Sequence, residues 1–216
     1  MKAMNSTSKA KVIEDNKKVS LLSARGLTAI SLLSALSIIL MLFEIPLWFA
    51  PSFYKIDFSE VPVLIGAFAL GPVAGVLIEL LKILLNLIVN GTETAFVGEI
   101  ANFIVGCSLV VPSAIIYHFK RTKKSALFGM VLGTVVFVVA GCILNAYLLL
   151  PTYAGLFHMP IDALVAMGTA INPGIDSMLT FVLFAVAPFN LVKGVAVSII
   201  TAFLYKYVSP IIKGYH

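Results

Sequence analysis

Apolar residues in this chain come in long blocks separated by short polar breaks. Nearly unbroken runs extend from about Ala24 to Pro46, Val73 to Val89, Phe96 to Phe119, Ala126 to Leu150 and Met178 to Val208. At a rise of 1.5 Å per residue, each is long enough as a helix to cross about 30 Å of hydrocarbon. A further run, Val61 to Leu70, is short for a span and ends at Gly71-Pro72, a turn signal. The pattern predicts an all-α integral membrane protein with six transmembrane helices in one bundle. Residues 1–22 read as a polar tail, 23–210 as the membrane domain and 211–216 as a short second tail. The connection Pro151 to Ser177 carries Pro160, Gly168, Asn172, Pro173 and Gly174 around the apolar stretch Ile161 to Ile171. It fits a lid or interfacial helix and, equally, an ordinary loop dipping into the headgroups. No repeat of transporter half-size is present, so a doubled, inverted architecture is not expected.

Composition agrees with a lipid solvent. The 216 residues are 60% hydrophobic and 12% charged, against about a quarter charged in soluble domains. The formal charge of +5 changes the picture only through its placement. Lys2, Lys9, Lys11, Lys17, Lys18 and Arg25 precede the first span, Lys120, Arg121, Lys123 and Lys124 form one short run, and Lys206 and Lys213 lie near the end. With six spans, all twelve fall on one face of the membrane, which the positive-inside rule makes the cytoplasm, with both termini there. The opposite loops hold Asp57, Glu60, Glu93, Asp162 and Asp176 against Lys55 alone. If the 61–70 segment did not span, Lys206 and Lys213 would move outside. Basic clusters at span ends, without a basic face carrying aromatic or polar readers, exclude nucleic acid as a partner. A Lys-rich tail before a full-length span excludes a cleaved signal peptide. The sequence thus places the protein in the cell membrane, as a multi-pass chain.

Cys107 and Cys142 lie in apolar runs without partners at metal spacing, and His118, His158 and His216 are scattered, so neither a disulfide framework nor a metal centre is expected. No phosphate-binding loop, His-Glu-x-x-His or Gly-x-Ser-x-Gly motif occurs; the chain reads as no enzyme, and energy for transport has to come from elsewhere. Charges inside spans cost about 2.5–3.5 kcal/mol each on insertion scales, so each needs a reason. Asn190 and Lys193 are three apart and share a helical face, an amide and an ammonium pointing together into the bundle. The competing reading is a lysine neutralised by an acid such as Glu99. Glu99 and Asn102 repeat the i, i+3 arrangement, and Glu79, Lys82 and Asn86 form a third stripe, read as a pair satisfying itself. On the first span, Thr28, Ser31 and Ala35 make a small-residue face, with Ser31 and Ala35 spaced for close helix approach in lipid.

Several segments together resemble one family. They are Phe43-Glu44-Ile45-Pro46, Ile56-Asp57-Phe58-Ser59-Glu60-Val61-Pro62, Gly66-Ala67-Phe68-Ala69-Leu70-Gly71-Pro72, Asn90-Gly91-Thr92-Glu93-Thr94, Gly98-Glu99-Ile100-Ala101-Asn102 and Pro188-Phe189-Asn190-Leu191-Val192-Lys193-Gly194. In this order the chain is similar to the riboflavin-binding S-components of energy-coupling factor (ECF) importers. The resemblance implies a six-helix, membrane-embedded subunit that captures riboflavin from outside and docks on a transmembrane coupling subunit driven by two ATPase subunits. It implies riboflavin as transported substrate, with no resident cofactor, and a docking face on the first helix, where Ser31 and Ala35 match. Asn190 and Lys193 are the implied binding residues. Chemistry agrees: an amide both donates and accepts along the carbonyl and N–H edge of the flavin ring, and an ammonium donates to ring acceptors. Leu42, Phe43, Trp48 and Phe53 suit the ring faces or a lipid interface, while Glu99, Asn102 and Thr94 suit the ribityl hydroxyls or brace helices. An S-component for another vitamin or a modified base, and an intramembrane enzyme using Glu99 and Lys193 as an acid–base pair, remain as alternatives.

Overall fold

The computed structural model describes residues 21–92 and 94–213. Glu93, most of the N-terminal tail and residues 214–216 lie outside the described residues. Helix α1 (Ala24–Met41) begins at Ser23, whose hydroxyl accepts from the Gly26 N–H and caps the first turn. A two-strand hairpin follows, β1 (Ile45–Pro46) and β2 (Lys55–Ile56), paired antiparallel with Ile45 opposite Ile56. Helix α2 (Glu60–Leu70) is 11 residues long and α3 (Pro72–Asn90) starts immediately after it. Gly71 joins them at φ 115°, a conformation that suits a residue without Cβ, and Pro72 occupies the first turn, where no amide partner is needed. Helix α4 (Val97–Lys120) packs along α5 (Lys123–Leu144), the two joined by a tight turn with Arg121 in the left-handed region and Thr122 capping Ser125. One wide turn, Asn145–Leu149, carries α5 into α6 (Leu150–Leu156). After α7 (Ile161–Thr169), α8 (Met178–Phe181) passes through a second wide turn, Val182–Val186, into α9 (Ala187–Lys213).

Among the described residues five stretches are long and apolar enough to cross a membrane: Ala24–Met41, Pro72–Asn90, Val97–Lys120, Lys123–Leu156 and Met178–Val208. The expected sixth, around Val61 to Leu70, is a helix of about 16 Å at 1.5 Å per residue. It is enclosed by protein, because Val61 through Phe68 are all buried. The main core, centred on this helix, joins Leu64, Phe68, Ile78, Leu109, Met130, Phe137 and Val197. The connection 151–177 contains the ordered helix α7, packed through Leu164 and Gly168 against Ile175 and Phe181. Phe68, Tyr117 and Tyr205 close the other end of the bundle, with the two tyrosine hydroxyls 3.0 Å apart.

Candidate ligand cavity

The loops that join α1 to α2, α3 to α4 and α6 to α8 gather at one end of the bundle, and a cavity of about 850 Å³ opens among them. Its wall takes Leu42 and Glu44 from the end of α1, Phe53, Tyr54 and Lys55 from the hairpin, and Asn86 and Asn90 from α3. Thr94, Glu99 and Asn102 come from the start of α4, and Phe157, Met159, Leu164 and Met167 from the 151–177 connection. Such a volume lies inside the range of about 300–1,000 Å³ typical of small-molecule sites. A smaller hollow of about 140 Å³ lies deeper and shares Tyr54, Gly98, Asn102, Asn145 and Leu149 with it; Asn190, Lys193, Glu60, Phe137 and Phe189 complete its wall.

Asn190 and Lys193 are both buried and line the same hollow, as their spacing predicts. The Asn190 amide donates to the Val186 carbonyl at 2.9 Å. Gly141 on α5 lies so close that a Cβ there would sit 2.7 Å from Asn190 Nδ2, so the amide is held against bare backbone. Lys193 does have an acidic partner, as the competing reading held, and it is Asp57 rather than Glu99: Nζ donates to Asp57 Oδ2 at 2.7 Å. Asp57, from the loop before α2, also accepts from the backbone N–H of Ser59 at 2.9 Å and from the Ser59 hydroxyl. Burial pushes the Asp57 carboxyl up, but the charges of Lys193 and Lys82, with the hydrogen bonds from Lys193 and Ser59, outweigh it and hold the group at about 2.

Glu99 is turned to Thr94, whose hydroxyl donates to it at 3.2 Å, so a Glu99–Lys193 acid–base pair is not formed. Thr94 and Glu99 line the outer cavity with Leu42, and Asn102 lines both spaces. Phe43 and Trp48 are exposed, at 67% and 89%, and are not part of either wall. The Glu79–Lys82 pair forms as expected, at 2.6 Å, with Glu60 as a second acid that the sequence reading placed in an outer loop. Asn86 is in a separate contact with Asn90. Thr28, Ser31 and Ala35 share an exposed face of α1, away from the cavity.

Two residues that the sequence reading passed over belong to both walls. Tyr54 donates to Asn145 Oδ1 at 2.6 Å, and Asn145 Nδ2 donates to the Gly141 carbonyl at 2.8 Å. Asn145 begins the wide turn in the fifth span, a distortion often found at functional sites. Its signal was a lone amide in an apolar run, Cys142-Ile143-Leu144-Asn145-Ala146. The polar groups of the hollow are thus the amides of Asn102, Asn145 and Asn190, the Lys193 ammonium, the Glu60 carboxyl and the Tyr54 hydroxyl, set among aromatic rings: donors and acceptors for one edge of a flat ligand, with apolar cover for its faces.

Residues 25–205 match the family model described as the ECF transporter substrate-specific component. The chain belongs to that family. It is 32% identical over 197 residues to the riboflavin transporter RibU of Staphylococcus aureus (strain TCH60), covering 91% of this chain and 97% of that one. The riboflavin transporter FmnP of Bacillus subtilis (strain 168) is 31% identical over 190 residues, or 88% of this chain and 94% of the relative. A solved S component of a bacterial ECF transporter superposes with a TM-score of 0.66 at 33% identity, over 87% of this chain and 96% of that one. The protein is accordingly a multi-pass cell-membrane S-component.

Proposed function

We propose that this S-component captures riboflavin from outside the cell for ATP-driven uptake by partner subunits, and is not itself an enzyme. The observation that carries the reading is the burial of Asn190 and Lys193 on one polar hollow that shares wall residues with a ligand-sized cavity. The riboflavin named for its relatives supplies the ligand class.

In this reading the ring enters edge first. Asn190 and Lys193 meet its carbonyl and N–H edge, Phe189, Phe137 and Leu42 cover its faces, and the ribityl chain extends past Asn102, Glu99 and Thr94. Riboflavin is carried as substrate and no resident cofactor is needed. The 61–70 helix counts as the sixth crossing, enclosed by its neighbours, which places both termini in the cytoplasm and residues 1–22 and 211–216 as tails. Domain limits follow as 23–210 for the membrane unit. The exposed face with Thr28, Ser31 and Ala35 docks on a coupling subunit carrying two ATPases, since small residues let helices approach closely in lipid.

Quenching of flavin fluorescence by purified protein tests the reading. Saturable, submicromolar binding of one riboflavin per chain is expected. Absence of flavin binding together with binding of another vitamin or modified base would replace the substrate.

A further inference from the structure

Two glutamates meet one lysine at the junction of α2, α3 and α4. Glu60, Glu79 and Lys82 are exposed by 1% or less. The Lys82 ammonium donates to Glu60 Oε1 at 2.8 Å and reaches Ser59 Oγ at 3.4 Å. It also pairs with Glu79 Oε1 at 2.6 Å. The two carboxyls thus converge on a single ammonium. Glu60 Oε2 and Glu79 Oε2 receive no hydrogen bond from any described donor.

Among the described residues nothing nearby supplies the missing charge. From the loop before α2 comes Asp57, whose own partner is Lys193 of α9. Helix α4 presents the Cys107 thiol and Gly106, where a Cβ would fall 2.2 Å from Glu79 Oε1, so the carboxyl is pressed against the helix. Asp57, Glu60 and Glu79 set against Lys82 and Lys193 leave one negative charge uncompensated if all five are ionised. A buried ionised carboxylate without a partner is far costlier than a neutral carboxyl, and two carboxylates sharing one ammonium do not both ionise readily.

We infer that Glu60 and Glu79 hold one proton between them, forming a buried proton-binding site against the wall of the ligand hollow. Taking up H⁺ from water converts one carboxylate to a carboxyl, whose O–H donates to the facing carboxylate. That single bond joins the two oxygens otherwise without a partner, one as donor and one as acceptor, and makes the five-group network neutral. Because Glu60 also lines the hollow with Asn190 and Lys193, the proton sets the charge that an uncharged ligand meets there.

Infrared spectroscopy of the purified, ligand-free full chain, with and without carboxyl-labelled glutamate, tests this independently of the transport reading. At neutral pH the carbonyl stretch of a protonated carboxyl is expected, shifted by the glutamate label. It should vanish in both Glu60→Gln and Glu79→Gln, since either change leaves one carboxylate for Lys82, and should persist in Glu99→Gln. A parent chain without that band overturns the inference. So does a labelled band that survives both substitutions or disappears with Glu99. If a variant fails to fold, the labelled parent spectrum still decides.

Discussion

Lys193 is where a single side chain has two duties to separate: neutralising Asp57 and donating to ligand. Lys193→Met removes the donor and strands a buried carboxylate. Loss of a charged hydrogen bond of about 1.5–3 kcal/mol corresponds to flavin binding weakened about 10- to 100-fold, with a lower thermal midpoint. Adding Asp57→Asn removes the stranded charge, so thermal stability is expected to recover while affinity stays low. Full recovery of affinity in the double variant would show that Lys193 serves only its acidic partner. The pair also sets a pH expectation. Asp57 is held below its ordinary value of 3.8, at about 2, so its stabilising contribution is complete above the ordinary value and is lost as pH falls through about 2. Flavin affinity titrated from about pH 7 to about pH 5 should therefore stay level; a carboxylate-like fall in that window would contradict the assignment. Gly141→Ala should displace the Asn190 amide and weaken binding several-fold without loss of folding, checked by titration beside a thermal scan. The Asn190–Lys193 face was legible because three-residue spacing fixes it on any helix. Asp57 was not: partners separated by 136 positions leave no local pattern, and its charge also fitted an outer loop.

At the level of elements, hydropathy located every long helix but could not say what encloses a short one. Helix α2 is as apolar as a span because it is buried on all sides by protein, and a run of ten apolar residues looks the same in either setting. The 151–177 connection resolves in favour of an ordered helix, because Leu164 and Gly168 of α7 dock on Phe181 and Ile175. Helix α1 divides cleanly: Ile30, Leu33, Ser34, Ser37 and Ile38 face inward, while Thr28, Ser31 and Ala35 face outward. Replacing Ser31 and Ala35 by Leu is expected to abolish flavin uptake by cells carrying the partner subunits while leaving binding by the purified chain intact. Loss of binding instead would assign that face to internal packing.

For the whole molecule, the proposed six crossings and cytoplasmic termini predict which surface each loop presents. In a background without Cys107 and Cys142, single cysteines at Lys124 and Lys206 should react with a membrane-impermeant thiol reagent only after the cells are opened, and one at Asp176 in intact cells. Reaction of the Lys206 position from outside would mean that α2 does not count as a crossing. The proposed topology rests on charge asymmetry, whereas the depth of the cavity depended on how loops distant in sequence converge. The most direct test of the account is the absorption spectrum of the full chain purified from cells grown in rich medium. A yellow preparation with flavin bands in about one-to-one ratio to protein, lost in Lys193→Met/Asp57→Asn, is the expected result. A colourless, folded parent that also fails to take up added riboflavin would contradict it.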